Sequence, residues 1–167
     1  AGAEPLANLE FTWRNNATGS FWRRYPFIRP CQNVHQVVEA WTKGESDILI
    51  TLEALQETGA LSAKEIAQSV KLVKKIAALV SREFTAKGLH VIDGKFELGR
   101  LKYGDGKIVL IDEISPDVLR VCRGYRPDKD GHCTVFKKCA ATGAADGKRT
   151  IKNKNQVPAA EFIGVFL

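Results

Sequence analysis

The chain has 167 residues, which fits one domain of about 100–200 residues, alone or with a short appendage. Hydrophobic residues make up 44% and charged residues 26%, a globular composition that excludes collagen, coiled coil and disorder throughout. The apolar runs at 76–80 and 108–111 fall far below the roughly 18 residues of a membrane span, and the net charge of +6 favours anionic partners.

The first thirty residues interleave aromatic and basic side chains. This interleaving can stack single-stranded bases, which makes nucleic-acid binding one hypothesis. The run from Leu9 to Arg14 also alternates apolar with polar residues, as a strand with one buried face does. We favour the strand and predict no nucleic-acid partner.

Two helices follow. Thr51 predicts the cap of a short helix between Leu52 and Gly59. A long helix is predicted from Ser62 to Lys87, because Ser62 and Glu65 form a capping-box pattern and Gly88 supplies a left-handed stop. Its apolar residues recur every three or four positions, and its lysines mark the solvent side.

A strand pattern runs from Leu89 to Leu101 and another from Ile108 to Ile114, with a glycine-rich turn at 102–107 between them. This order predicts an antiparallel hairpin. Residues 123–155 contain few large apolar side chains and predict a loose segment, followed by a terminal strand at 157–167. The fold class is therefore α+β, an antiparallel sheet packed with the 62–87 helix.

The four cysteines do not have the spacing of metal ligands, although His132 and Cys133 with Cys139 hint at a zinc cluster. We predict free thiols in a reducing compartment. Residues 1–5 contain no initiator methionine and no signal pattern, so we expect a processed chain or the later part of a longer one.

Asp93, Lys95 and Glu97 are spaced by two, which places them on one face of a strand. If the hairpin closes through 103–106, Glu97 stands opposite Asp112 with Cβ atoms about 4.5–5.5 Å apart. Two facing carboxylates repel, and magnesium offsets this by taking one or two carboxylates together with water and phosphates. The alternative is a solvated pair in another register, since a slip of one residue sends one acid to the other face.

Two further segments carry candidate residues. Ser115 and Pro116 predict a helix start, after which Asp117 and Arg120 share a face; a surface ion pair is the alternative. Residues 14–20 combine a guanidinium at Arg14, a glycine turn and a hydroxyl at Ser20, the parts of a phosphate cradle. An ordinary loop contains the same Thr-Gly-Ser run.

Taken in order, four features resemble the SAICAR synthetase family of purine biosynthesis: Arg-Asn-x-Ala-Thr-Gly-Ser at 14–20, a long helix, Asp-x-Lys-x-Glu-x-Gly at 93–99, and Leu-Ile-Asp-Glu-Ile-Ser-Pro-Asp-x-x-Arg at 110–120. The resemblance covers about residues 5–121. It implies a carboxy-terminal, ATP-grasp-related lobe at 1–121 that binds substrate and magnesium, followed by a divergent segment at 122–167.

The resemblance also implies a reaction. ATP would activate the carboxylate of carboxyaminoimidazole ribotide (CAIR) as an acyl phosphate, and the amino group of L-aspartate would displace phosphate to form an amide. ATP and Mg²⁺ would be the cofactors, and the location would be cytoplasmic. Such a reaction depends on positioning and charge neutralisation rather than on a protein nucleophile.

Residue roles follow from the same resemblance. Magnesium on the ATP phosphates would be held by Glu97 and Asp112. The ribotide phosphate would be gripped by Arg14, Ser20 and Arg120. The ribotide and the nucleotide would be ordered around the reacting carboxylate by Asp93, Lys95 and Asp117. Asp47 stands where the family has an Asp-Pro substrate contact, but Ile48 replaces the proline.

The sequence departs from the family in two places. The family's amino-terminal lobe, with its phosphate loop, has no counterpart here, so we expect a need for a complementing lobe or for a homo-oligomer. The family's closing Lys-Asp-x-x-Phe-Arg segment is interrupted at 131–133. Two other functions therefore stay open: a non-catalytic ribotide-binding or assembly module, and a small-molecule kinase related to the inositol-phosphate kinases.

Overall fold

The computed structural model describes residues 2–127 and 133–138. Its strands are β1 (Ala3–Asn16), β2 (Asn33–Thr42), β3 (Leu49–Ile50), β4 (His90–Leu101), β5 (Ile108–Leu110), β6 (Leu119–Pro127) and β7 (Cys133–Lys138). Its helices are α1 (Gly19–Arg24), α2 (Leu52–Glu57) and α3 (Ala63–Ala86), with a 3₁₀ turn at Pro116–Val118.

Within the described residues the strands form one antiparallel sheet in the order β3-β2-β1-β4-β6-β7, with β5 also paired to β4. The two long strands β1 and β4 pair at the centre, and α3 packs against them. The predicted α+β architecture is confirmed.

The core lies between α3 and one face of the sheet. Phe11, Trp13 and Phe96 from the central strands meet Val73 and Phe84 from α3, and all five are fully buried. Burying such side chains stabilises the fold by about 1.5–3 kcal/mol each. Because side chains alternate along a strand, the neighbours of these residues in β1 and β4 face the opposite side.

Local signals place both predicted helices correctly. The Ser62 side chain accepts from the Glu65 N–H, and the Glu65 carboxylate accepts from the Ser62 N–H, so the capping box is complete. Gly88 has φ +70°, the left-handed conformation expected after the helix. The Thr51 hydroxyl caps α2 by accepting from the Ala54 N–H at 3.1 Å.

The amino-terminal strand is also confirmed, but α1 was not predicted beyond it. The prediction of a loose segment from 123 is wrong where the structure describes it, because β6 continues to Pro127 and pairs with β7. Strand β6 thus runs across position 121, the boundary proposed between the two parts of the chain. The terminal strand predicted at 157–167 lies outside the described residues.

The cysteine prediction needs a correction. Cys31 is in a disulfide, whereas Cys122 is a buried cysteine outside any disulfide. The disulfide at Cys31 contradicts the prediction of free thiols and gives no support to a reducing compartment. None of the helices within the described residues combines the length and the apolar character needed to cross a bilayer.

Candidate functional site

A cavity of about 600 Å³ opens on the face of the sheet opposite α3. Seven of the nine residues singled out in the sequence line it. They are Arg14, Ser20, Asp93, Lys95, Asp112, Asp117 and Arg120. The other two, Asp47 and Glu97, are absent from its lining.

A cross-strand row forms the floor of this cavity. Arg14 of β1 pairs with Asp93 of β4, and Asp93 pairs with Arg120 of β6. Directly paired residues in neighbouring strands point to the same face. The sheet register therefore brings together three charged residues that are up to 106 positions apart in the sequence.

Asp93 holds both arginines. Arg14 Nη1 donates to its Oδ2 at 2.5 Å, and Arg120 donates from Nε to Oδ1 at 2.6 Å and from Nη2 to Oδ2. The Arg14 and Asp93 side chains are only 9% and 8% exposed, so this is a largely buried ion pair. Burial lowers the pKa of Arg120. The charge of the neighbouring Asp93 carboxylate and its hydrogen bond together raise that pKa by more, so the net shift is upward.

The start of α1 borders the cavity. Arg120 Nη2 donates to the Thr18 hydroxyl at 3.0 Å, and the exposed Ser20 lines the cavity beside it. Gly19 has φ +54°, and a Cβ built there would lie 3.3 Å from Arg120 Nη1. The glycine thus allows both the left-handed turn and the close approach of the guanidinium.

Lys95 lies on the same face of β4 as Asp93. Its Nζ donates to the Glu10 carboxylate at 2.8 Å. That hydrogen bond raises the pKa of Lys95, burial opposes the rise, and the charges of Glu10, Asp47 and Glu97 add to it. Lys95 is therefore a firmly protonated cation at the edge of the cavity.

The predicted facing of Glu97 and Asp112 is wrong by one residue. The hairpin pairs Leu98 with Leu110, and the Ile111 N–H donates to the Glu97 carbonyl at 3.0 Å, so Ile111 stands opposite Glu97. The reason is the turn, which leaves five residues, 102–106, between Leu101 and Lys107 rather than four. Asp112 lies beyond the end of β5 and lines the cavity all the same.

Glu97 is engaged by a residue that the sequence did not single out. Its carboxylate accepts from Lys43 Nζ, and both side chains are about a third exposed. Asp47 is exposed in the loop between β2 and β3, where its charge acts on Lys95.

Within the 110–120 segment, the predicted helix start is a 3₁₀ turn at Pro116–Val118 rather than a longer helix. The Ser115 hydroxyl accepts from the Asp117 N–H at 3.3 Å, as a cap would. Arg120 begins the next strand and pairs with Asp93 instead of Asp117. Asp117 and Arg120 nevertheless line the same cavity.

The donor set allows a magnesium ion only with help from a ligand. Among residues 2–127 and 133–138, no three His, Cys, Asp or Glu side chains gather as metal ligands. Asp112 offers a carboxylate at the cavity, with Oδ1 accepting from the Glu113 N–H at 2.8 Å. Magnesium takes one or two protein carboxylates and fills its other positions with water and phosphate oxygens, so this site fits it in the presence of a phosphorylated substrate.

Sequence reasoning missed a buried carboxylate behind the cavity. Glu39 of β2 accepts from Arg14 Nε at 3.4 Å, from Arg24 Nη2 at 2.5 and 2.7 Å, and from the Tyr25 hydroxyl at 3.3 Å. One signal could have found it: Glu39 is a lone acid within the apolar run 37–41. A buried lone charge needs a partner, and the nearby arginines supply it.

Comparison with known proteins agrees with the resemblance read from the motifs. The SAICAR synthetase family matches residues 4–139. The chain is 35% identical over 134 residues to a phosphoribosylaminoimidazole-succinocarboxamide synthase of Lactococcus lactis subsp. cremoris. The aligned region covers 78% of this chain and 54% of that protein. It is 39% identical over 115 residues to the enzyme of the same name from Clostridium tetani, and this alignment covers 67% of this chain and 50% of that protein.

Solved structures give the same result. A SAICAR synthetase from a structural-genomics project superposes with a TM-score of 0.68 at 29% identity, covering 77% of this chain and 61% of that one. A SAICAR synthetase in complex with ADP superposes with a TM-score of 0.65 at 29% identity, covering 72% and 51%. The chain spans about half the length of the curated relatives it matches.

Proposed function

The chain belongs to the SAICAR synthetase family, and we propose that it is the substrate- and magnesium-binding, carboxy-terminal lobe of a ligase that joins L-aspartate to the carboxylate of CAIR at the expense of ATP. The observation that carries this proposal is the Arg14–Asp93–Arg120 row with Ser20 beside it, which presents two guanidinium groups and a hydroxyl to one cavity. These groups suit a phosphate ester.

The reaction divides into two transfers. The carboxylate oxygen of CAIR attacks the γ-phosphorus of ATP, and ADP leaves to give an acyl phosphate. The amino nitrogen of aspartate then attacks the acyl carbon, phosphate leaves, and the ammonium proton passes to a base. Neither step needs a protein nucleophile, so the lobe contributes orientation and charge.

Each cavity residue has a place in this scheme. Arg14, Ser20 and Arg120 bind the ribotide phosphate, while Asp93 fixes the direction of both guanidinium groups. Lys95, held protonated by Glu10, balances charge that develops on the transferred phosphoryl group. Asp117 and Asp47 orient the substrates.

Magnesium would be held by Asp112 and Glu97 and would neutralise the phosphate charge of the nucleotide. The charge of the lining supports a divalent cation beside Asp112. Arg14, Lys95 and Arg120 balance Asp93, Asp112 and Asp117, so the cavity is neutral as a whole when all six are ionised. A phosphorylated substrate adds negative charge that a divalent cation offsets.

The rest of the nucleotide site would come from a complementing amino-terminal lobe or from another subunit, since the curated relatives are about twice as long as the part matched here. Expressed by itself, the 167-residue chain should bind the ribotide and form no amide. The cytoplasmic location expected of a purine-biosynthetic enzyme is part of the same proposal.

Calorimetry with purified CAIR tests the proposal. Arg120→Gln should weaken binding by about tenfold or more, since a hydrogen bond to a charged group contributes about 1.5–3 kcal/mol. Arg82→Gln is the matched control, because Arg82 is exposed on α3 and pairs with the adjacent Glu83. The ribotide assignment would be refuted if Arg120→Gln, Arg82→Gln and the unmodified chain bound CAIR with equal affinity. It would also be refuted if the unmodified chain did not bind CAIR.

A non-catalytic ribotide-binding module is the second candidate. It is favoured by the engagement of Glu97 with Lys43 outside the cavity lining, which leaves one acid of the proposed magnesium pair in an ion pair. The discriminating measurement is calorimetry of CAIR binding with and without Mg²⁺, in the unmodified chain and in Asp112→Asn. Tight binding that neither change affects would favour the module over the ligase.

A further inference from the structure

Glu39 lies outside the cavity lining but touches the arginine that lines it. Its carboxylate is buried, with a side chain only 5% exposed, and it accepts from Arg14 Nε. Glu39 and Arg14 lie on neighbouring strands, β2 and β1, and Thr12 is the residue directly opposite Glu39. The contact therefore comes from the sheet register and not from a mobile loop.

Arg14 is confined from three directions. Glu39 accepts from its Nε, Asp93 accepts from its Nη1, and the Phe21 ring lies 5.5 Å from its guanidinium carbon. A guanidinium has five N–H donors in a fixed planar fork. Fixing the Nε edge and one Nη group sets the plane of the guanidinium, and Arg14 is part of the cavity lining.

Glu39 is itself held in place. Arg24 donates twice to it, at 2.5 and 2.7 Å, and the Tyr25 hydroxyl donates once, at 3.3 Å. Arg24 is in turn packed against the Trp41 ring, 4.9 Å from its centroid. These donors hold the Glu39 carboxylate independently of Arg14, so its position constrains the orientation of the arginine.

We propose that Glu39 is a positioning residue that aims Arg14 at the phosphate of the ribotide. The inference rests on the proposed function, because Arg14 must be a phosphate ligand for its orientation to matter. The proposal adds a residue outside the cavity lining to that site, and the Glu39–Arg24 ion pair then contributes to ligand binding as well as to stability.

Charge and positioning make opposite predictions for Glu39→Gln. The substitution removes a negative charge close to the phosphate site, and simple electrostatics then predicts tighter binding of the anion. Glutamine leaves one acceptor oxygen where Glu39 has two for Arg14, Arg24 and Tyr25. The Arg14 guanidinium is then held less firmly, and positioning predicts weaker binding. The sign of the change in affinity separates the two effects.

The experiment measures the dissociation constants of CAIR and of the matching nucleoside without its phosphate, by calorimetry. For Glu39→Gln, CAIR should bind about tenfold more weakly, as expected when a hydrogen bond to a charged group is degraded. The nucleoside should bind with unchanged affinity, which a general loosening of the fold would not produce. Glu65→Gln is the matched control, because Glu65 also accepts twice from one arginine, Arg100, but lies away from the cavity lining.

Glu39→Asp provides a second variant if Glu39→Gln does not fold. It keeps the charge but withdraws the carboxylate by one methylene, so CAIR should bind several-fold more weakly with the nucleoside again unaffected. Tighter or equal CAIR binding in the folded variant, or equal weakening of both ligands, would overturn the role of Glu39. Failure of the unmodified chain to bind CAIR would instead refute the proposed function and the inference resting on it.

Discussion

At the scale of single residues, Asp93 determines how the two arginines of the cavity floor are held. It is buried, it bridges two arginines on the strands to either side, and its oxygens accept all three of those guanidinium contacts. A carboxylate in this position does two things at once. It offsets the cost of burying Arg14, and it sets the direction from which both guanidinium groups meet a ligand.

Asp93→Asn should therefore destabilise the fold strongly. The change leaves Arg14 buried without a full counter-charge, and breaking a buried pair costs about 3–5 kcal/mol. We expect about 3 kcal/mol, because Arg120 is about a third exposed and water compensates part of the loss. The measurement is the free energy of unfolding in urea.

The control for this substitution is Glu83→Gln. Glu83 pairs with Arg82 on the surface of α3, with side chains 49% and 71% exposed, so its loss should cost no more than about 0.5 kcal/mol. If Asp93→Asn were as harmless as the control, the row of charges would contribute nothing to stability, and its place in the fold would need another explanation.

At the scale of elements, sequence signals succeeded where the determining interactions are local. The capping box at Ser62 and the left-handed Gly88 fixed the ends of α3 to within a residue, because both act within four residues of the chain. The hairpin of β4 and β5 was predicted for the same reason. Its register was not, since the length of the loop at 102–106 depends on which of its residues turn left-handed, here Gly104 and Gly106.

Contacts between residues far apart in the sequence could not be predicted from local sequence patterns. Glu39 meets Arg14 across 25 positions, and its partner Arg24 comes from the unpredicted helix α1. The family resemblance grouped Arg14 with Arg120 on the phosphate and gave Asp93 a separate role. Periodicity can place a residue on a face of a strand but cannot say which strands are neighbours. The pairing of β1 with β4 and of β4 with β6 supplies that missing information.

The start of α3 gives a prediction about pH. The backbone N–H of Ser62 lowers the pKa of the Glu65 carboxyl, burial opposes this, and Arg100 and the Ser62 hydroxyl lower it further, for a net decrease below the ordinary value of 4.5. A carboxyl with a lowered pKa in the folded state stabilises the fold above its unfolded pKa, and this contribution disappears as the pH falls through the folded value.

Glu65→Gln isolates that charge, because glutamine also completes a capping box. The unmodified chain should be more stable than the variant at pH 7, and the difference should shrink as the pH falls below about 4.5, the ordinary carboxyl value. Urea unfolding of both proteins between pH 7 and pH 3 measures this difference in the free energy of unfolding. A difference that stays constant with pH would show that the charge of Glu65 plays no part.

At the scale of the whole molecule, the site is built on one face of the sheet while the opposite face is covered by α3. The cavity is open, and its charged residues come from three neighbouring strands and the segments next to them. The proposed two-step transfer through an acyl phosphate would need exclusion of water, since hydrolysis of that intermediate competes with the amine. One open sheet face does not exclude water by itself, which is the physical reason for expecting a second lobe.

A chimera tests this expectation directly. Residues 4–139, the part that matches the family, would replace the corresponding half of the Lactococcus lactis enzyme, to which this chain is 35% identical over 134 residues. We expect ATP-dependent amide formation from CAIR and L-aspartate by the chimera and none by the 167-residue chain alone. Enzyme-coupled detection of ADP, with the amide product followed separately, provides the measurement.

The same chimera separates binding from chemistry. Asp112→Asn should lower kcat by about 10²–10³, the loss typical when a group that stabilises transition-state charge is removed, while CAIR still binds through Arg14 and Arg120. Lys71→Gln, on the exposed side of α3, should leave both quantities unchanged. Turnover by the Asp112→Asn chimera at the unmodified rate would remove this residue from the magnesium site. Amide formation by the isolated chain would remove the need for a second lobe, because the open face would then suffice to protect the acyl phosphate.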